Sequence, residues 1–217
     1  MIPDSIRKQR KRMSIIIMRL KTEYPDSQCS LNYATPFQLL VSTILSAQCT
    51  DDRVNKVTQL LFKKYPTAHE FSKLPLETIK QGIYSTGFYN NKAKSIQGMA
   101  KMVVEKYDGR LPSSMDEMIK LPGVGRKTAN VVLGNIYNIP SLVVDTHVTR
   151  LTNLLKFVQC KDAVKIERKL MKIINKEDWT LFAHLLIDHG RAVCIANRPK
   201  CVECVIAEFC PSNKGDK

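Results

Sequence analysis

Four cysteines crowd one short stretch near the end of this 217-residue chain, in the order Cys194-x6-Cys201-x2-Cys204-x5-Cys210. Thiols at that density ligate metal more readily than they build a disulfide framework, and the odd total of seven cysteines agrees. Zinc usually takes two separated Cys-x2-Cys knuckles, whereas here one such pair stands between two unevenly spaced partners. Iron-sulfur clusters also take four cysteines. The spacing favours a [4Fe-4S] cluster and leaves zinc open. Its simplest role is structural, since a short loop holding Arg198 and Lys200, with Arg191 beside it, cannot bury enough apolar surface to order itself. Cys29, Cys49 and Cys160 read as ordinary thiols.

A second chemical feature is Leu121-Pro122-Gly123-Val124-Gly125-Arg126-Lys127-Thr128-Ala129-Asn130. It lies between an amphipathic run, Met115 to Lys120, and an apolar one, Asn130 to Ile136, so it predicts helix, tight turn, helix. Pro122 and the glycines stop the first helix and permit backbone angles that a side chain forbids. Glycines at a helix start leave backbone N-H groups aimed outward at the positive end of the helix dipole. That is an anion site, and Arg126 and Lys127 beside it make phosphate the natural anion. No Gly-x-x-x-x-Gly-Lys-Ser/Thr pattern is present, which argues against a nucleotide-cradling loop.

The elements that must position these residues are helices. Apolar residues at helical spacing mark Ser14 to Tyr24, Phe37 to Ala47 with Leu39, Leu40, Ile44 and Leu45 on one face, and Arg53 to Lys64 behind a Thr50-Asp51-Asp52 cap. Pro75 to Ile83, Asn91 to Tyr107, Val148 to Phe157, Asp162 to Ile174 and Asp178 to Ala192 follow. Strand signals are nearly absent, so the fold class is all-α. At the junction Leu45 to Asp51, Gln48 carries donors and acceptors that suit either a base edge or a helix end. The turn Ser85 to Asn91 has Phe88 and Tyr89 at its tip; an aromatic there either enters a base stack or packs in the core. The order Leu-Pro, helix, glycine turn, Lys-Ala, helix around this turn weakly echoes the hairpin at Gly123.

Lysine and arginine number 34 against 20 acids, a formal charge of +14 that favours a polyanion, nucleic acid ahead of an acidic membrane surface. The apolar run Met13 to Met18 is too short for a signal sequence, and no window approaches the roughly 20 apolar residues of a membrane span. A soluble intracellular protein is expected, in the cytoplasm at the nucleoid if bacterial.

The hairpin, the later Val144-Asp145-Thr146-His147 and the four-cysteine spacing together resemble the endonuclease III family of DNA repair glycosylases, part of the helix-hairpin-helix superfamily. The likeness runs from the Leu45 to Asp51 junction to Cys210. It implies two helical lobes: a six-helix domain at 29–139, and a second built from 1–28 plus 140–217 that carries the cluster loop 194–210, with DNA lying between them. It also implies Lys127 as nucleophile and Asp145 as its catalytic partner, with Gln48 and the Phe88 turn filling the duplex after a base is extruded. The family commonly has leucine at the tip, so Phe88 departs from its pattern. Gly123, Gly125, Arg126, His147 and Arg198 are the further expected DNA contacts. Thr128 and Asn130 read as packing positions.

The chemistry so implied needs an amine that attacks the sugar C1′ and displaces the base. A lysine attacks only when neutral, about one molecule in a thousand at pH 7 for an unperturbed pKa near 10.4. Asp145 is also suited to cap the helix that starts at Thr146. The expected activity is that of a monomeric bifunctional glycosylase and AP lyase acting on oxidised pyrimidines in double-stranded DNA with a damaged base. Two alternatives stand beside it. One is a mismatch-specific, adenine-type monofunctional glycosylase, a branch that usually has another residue at the Lys127 position and an extra C-terminal domain. The other is a non-catalytic iron-sulfur DNA-binding protein, which needs neither Lys127 nor Asp145.

Overall fold

The computed structural model describes residues 4–213 and 215. Among them every regular element is helical and no strand occurs. The chain opens with α1 (Asp4–Glu23) and continues through α2 (Pro36–Leu45), α3 (Asp51–Lys64), α4 (Ala68–Lys73), α5 (Leu76–Ile83), α6 (Tyr89–Tyr107), α7 (Met115–Met118) and α8 (Arg126–Ile136). It closes with α9 (Thr146–Leu154), α10 (Ala163–Leu170) and α11 (Trp179–Ala192). Two compact units result: residues 29–139 form one, and residues 1–28 with 140–217 form the other. No described helix is long and apolar enough to cross a membrane.

The 29–139 unit is built round α2. Thr35 caps it, its hydroxyl accepting from the Gln38 amide, and Pro36 supplies a first-turn residue that needs no N-H partner. Every residue from Phe37 to Leu45 is buried, rather than the single face its spacing suggests, because α3, α6 and α8 all pack on it. A helix buried on every side, here with Gln38, Ser42 and Thr43 among its buried residues, is a core helix. Phe37 and Phe71 meet edge to face at 5.4 Å within that core. Helix α4, which hydropathy spacing does not reveal, is announced instead by its capping box: Thr67 accepts from the Glu70 amide while the Glu70 carboxylate accepts from the Thr67 amide at 2.8 Å. It packs against α6, as does α5.

In the other unit α11 is the shared partner of α1 and α9. Gly190 permits the α9 contact, since a Cβ there would lie 2.6 Å from His147 Nδ1. Helix α1 starts at Asp4, well before the apolar period at Met13, because Arg, Lys and Gln are good helix formers that extend the rod without being buried. Helix α10 stops at Leu170, short of Ile174, and the chain turns through Met171 to Ile174.

Candidate nucleic-acid and metal sites

Within the 29–139 unit the hairpin forms as its glycines suggest. Helix α7 ends, Leu121 and Val124 bury, and the Val124 amide donates to the Leu121 carbonyl at 3.1 Å. Gly123 takes a φ of +76°, and a Cβ on it would lie 2.5 Å from Ser95 Cβ on α6, so both conformation and packing demand glycine. Gly125 differs. Its φ is −92°, it occupies the cap position of α8 without a side-chain cap, and a Cβ there would meet nothing within 4 Å. Helix α8 begins at Arg126, four residues ahead of its apolar run. The first intrahelical bond runs from the Ala129 amide to the Gly125 carbonyl at 2.9 Å, so the amides before Ala129 lie on the helix's open end. Arg126 and Lys127 are both exposed on that first turn, while Ala129 and Asn130 face the core.

Two further turns of the same unit hold the other residues the sequence singles out. Gln48 is exposed between α2 and α3 with a φ of 53°. Phe88 is 64% exposed at the start of α6 with a φ of 48°, so the aromatic tip points to solvent rather than into the core. Tyr89 is half-buried and lies against Tyr84, the rings tilted by 48° with centroids 4.7 Å apart. Left-handed backbone at a side chain with no compensating local hydrogen bond costs about 1–2 kcal/mol, and such strain collects at functional loops.

In the second unit Leu142, Val143 and Val144 are buried and deliver Asp145 to the cap of α9, where its Oδ1 accepts from the Val148 amide at 2.8 Å. Asp145 and His147 are half-buried. The His147 ring lies 3.5 Å from an Arg150 guanidinium nitrogen and against Gly190, which makes it first of all a packed histidine. Arg198 is exposed on the segment between Cys194 and Cys201.

Cys194, Cys201, Cys204 and Cys210 line a single cavity of about 110 Å³, together with Arg150, His189 and apolar residues of α9 and the 193–207 segment. Among the described residues no three Cys, His, Asp or Glu side chains converge closely enough for one metal ion. The four thiols line one space. Burial pushes the Cys194, Cys204 and Cys210 thiols up, opposed by Arg150 at Cys194 and by Arg12 at Cys210. Such thiols ionise when a bound cation takes up their charge. Arg150 donates to the Cys194 carbonyl at 2.6 Å and lies 3.7 Å from its sulfur. His189, 1% exposed, sits with Nε2 3.4 Å from Cys204 Sγ and Nδ1 3.0 Å from the Tyr24 hydroxyl. Its pKa is pushed down to about 4, by burial first and then by Arg150, so the ring is neutral at pH 7.

Sequence reading overlooked the clamp on this loop. Arg12 of α1 donates to the Leu155 and Phe209 carbonyls at 2.7 and 3.2 Å and lies over the Phe157 ring. Arg19 donates to the Val205 carbonyl at 2.9 Å, pairs with Glu208 and covers Phe209. Spacing places Arg19 on the outward face of an amphipathic helix, and the structure turns it onto the cysteine loop. The available signal was the i, i+7 repeat of arginine on one helix face.

Residues 41–176 match the model of the HhH-GPD superfamily of base excision DNA repair proteins. Endonuclease III of Synechocystis sp. (strain ATCC 27184 / PCC 6803 / Kazusa) is 51% identical over 205 residues, covering 94% of each chain. Endonuclease III of Bacillus subtilis (strain 168) is 44% identical, covering 95% of each. A solved structure of endonuclease III trapped as a covalent intermediate on DNA aligns with a TM-score of 0.90 at 43% identity, over 94% of this chain and 97% of that one. Matches of that extent, on a chain that carries the glycine hairpin and the four-thiol cavity, make this protein a member of the endonuclease III family within the HhH-GPD superfamily.

Proposed function

We propose that the protein is a bifunctional DNA glycosylase and AP lyase that removes oxidised pyrimidines from duplex DNA. The observation that carries the reading is an exposed lysine on the first turn of the hairpin's second helix, in a chain 43% identical to an endonuclease III captured as a covalent intermediate with DNA. Lys127 Nζ, as the neutral amine, attacks C1′ of the damaged nucleotide. The C1′–N bond breaks and the base leaves with the bonding pair, taking up a proton. Opening of the sugar ring gives a C1′ Schiff base, which acidifies the C2′ hydrogen. Loss of that proton and departure of the 3′ phosphate complete the β-elimination. Asp145 stabilises the cationic sugar or relays the proton while its other oxygen caps α9. The open end of α8, with Gly123, Gly125 and Arg126, receives a phosphate. Gln48 and Phe88 fill the space that the extruded base leaves, and His147 and Arg198 are further contacts. A damaged base costs less to extrude than a sound one, which supplies part of the selectivity.

The four cysteines hold a [4Fe-4S] cluster in this reading. Support comes from thiols spread round a cavity rather than aimed at one point, with Arg150, Arg12 and His189 placed to stabilise sulfur charge. When bound, the cluster supplies the positive charge that keeps the thiols ionised and cross-links the loop bearing Arg198. The protein acts as a monomer on the genome, hence inside the cell.

Borohydride trapping on a duplex carrying thymine glycol tests the reading. Native protein should give a covalent adduct that Lys127→Gln does not. An adduct on an abasic duplex alone would keep the lyase and change the lesion. No adduct on either would return the protein to the monofunctional or non-catalytic alternatives. Absorbance near roughly 400 nm, the thiolate charge-transfer band, separates the cluster from zinc.

A further inference from the structure

We propose that Lys92 is a positioning residue for base extrusion: its buried ammonium ties the turn that carries Gln48 to the turn that carries Phe88. Lys92 lies on the first turn of α6 and is only 6% exposed. Its Nζ donates to the Leu45 carbonyl at 2.8 Å and to the Thr86 carbonyl at 2.8 Å. Leu45 is the last residue of α2, and Thr86 is the last of the 3-10 turn Tyr84–Thr86. One amine therefore caps two helical ends, at each of which the carbonyls carry the negative end of a dipole.

A left-handed residue follows each capped end within three residues. Gln48 follows Leu45 within the same short turn with a φ of 53°, and Phe88 follows Thr86 by way of Gly87 with a φ of 48°. Both side chains are exposed. Left-handed residues other than glycine persist only where the surroundings over-determine them. Here Lys92 fixes both, and it fixes them to one point, so the two tips keep a set spacing.

Packing alone does not explain an amine at this position. Burying an ammonium carries a desolvation cost that an apolar side chain of similar volume avoids. Burial pushes the Lys92 pKa down, and the nearby Cys49 thiol opposes that shift. The sequence echo between the two glycine turns gains a meaning from this contrast. Each places a lysine shortly after its glycine, exposed as Lys127 in one and buried as Lys92 in the other.

The inference rests on the proposed function and concerns one step of it. Extrusion requires Gln48 and Phe88 to enter the duplex together, whereas Schiff-base chemistry on an abasic site in single-stranded DNA requires neither. Single-turnover borohydride trapping with the full-length, metal-loaded protein separates the two. Lys92→Met should trap a thymine glycol duplex at least about tenfold more slowly than native protein and trap single-stranded abasic DNA within about twofold of it. In a Gln48→Ala, Phe88→Ala background the same substitution should slow the duplex reaction by less than about threefold, because both tips it positions are gone.

Equal losses on both DNAs would assign Lys92 to general stability and overturn the inference, as would an unchanged duplex rate. Lys92→Gln, which keeps donor N-H groups on a shorter arm, should fall between native and Lys92→Met. If neither variant folds, the amine belongs to the fold and the positioning role is refuted. A native protein that traps no substrate at all would remove the lyase reading itself, a result distinct from any of these.

Discussion

Gly123 and Gly125 stand two residues apart in one turn, yet the structure gives alanine opposite consequences at the two. At Gly123 an alanine must hold a φ of +76°, which costs about 1–2 kcal/mol. Its Cβ must also come within 2.5 Å of Ser95 Cβ and 2.9 Å of Ser95 Oγ. Serine Cβ is fixed to the α6 backbone, so the hairpin or α6 has to move, and overpacking of that kind costs about 1–3 kcal/mol. Gly123→Ala should therefore destabilise by about 2–5 kcal/mol. At Gly125 the backbone is accessible to any residue and the Cβ meets nothing. Alanine gains up to about 1 kcal/mol by restricting the unfolded chain and gives back a similar amount as the poorer helix cap, so stability should change by less than about 1 kcal/mol. The methyl instead stands on the path of the phosphate proposed for the open end of α8, and on that proposal duplex affinity should fall about tenfold, or ~1.4 kcal/mol. Urea denaturation followed by ellipticity, with fluorescence anisotropy on an abasic-analogue duplex, reads both quantities. Ser95→Gly isolates the clash: in that background Gly123→Ala should cost only the conformational part, about 1–2 kcal/mol. A Gly123→Ala cost that is unchanged by Ser95→Gly would refute the packing argument, and a Gly125→Ala that unfolds as easily as Gly123→Ala would refute the division of roles.

Asp145 caps α9 in the structure and is the proposed catalytic carboxylate, and substitution can separate the two roles. An asparagine at this position keeps a capping oxygen, so Asp145→Asn should stay within about 0.5 kcal/mol of native stability while Asp145→Ala loses about 1 kcal/mol. Both should slow trapping on abasic DNA by about 10²–10⁴; a full-rate Asp145→Asn would leave Asp145 as a cap alone. Phe88→Gly relieves a left-handed aromatic and should raise stability by about 1 kcal/mol while lowering the rate on base-containing duplex. Loss of stability there would mean that the Phe88 ring packs more than its exposure indicates. Burial pushes the His184 pKa down, with Asp188 opposing. The unfolded chain thus takes up a proton below about pH 6.5 that the folded chain resists, and stability falls with acidification by at most about 1.4 kcal/mol per pH unit from this group. His184→Gln should flatten the decline between about pH 6.5 and 5, as measured by denaturant midpoint; an unchanged slope would remove His184 from the account.

How much was legible in the sequence depended on whether a feature is local. The hairpin reads directly because glycine is the residue that most readily takes a φ above zero in a tight turn, and Gly123 announces it within one residue. The Asp145 and Thr50 caps read for the same reason, each satisfied within three residues by the chain's own amides. Helix α4 was equally local but was hidden from a search for apolar period; its capping box was the signal to seek. What spacing cannot show is closure over long separations. Lys92 meets Leu45 from 47 residues away, Arg12 meets Phe209 from 197 away and His189 meets Cys204 across the cavity wall. In a helical pattern Lys92 counts as one more solvated lysine among the chain's 34 basic residues.

Those long-range contacts change what the net charge means. A formal +14 invites the view that basic residues are spread over the surface for phosphate. Arg12, Arg19 and Arg150 are instead committed to carbonyls and sulfur around the cysteine loop, and Lys92 to two helix ends. Arg12, Arg150 and Lys92 are cations held at the negative end of a helix or beside a thiol, and Arg19 is held by a loop carbonyl and Glu208, so each partner is set by the fold and not by DNA. The residues left exposed on the hairpin, Arg126 and Lys127, lie where a helix N-terminus already concentrates positive potential. Charge in this chain thus divides into cations that order the turns and cations that the ordered turns present. The division has a measurable sign: neutralising Arg126 should reduce the salt dependence of duplex binding by about one phosphate contact, whereas neutralising Lys92 should leave that slope unchanged while slowing extrusion.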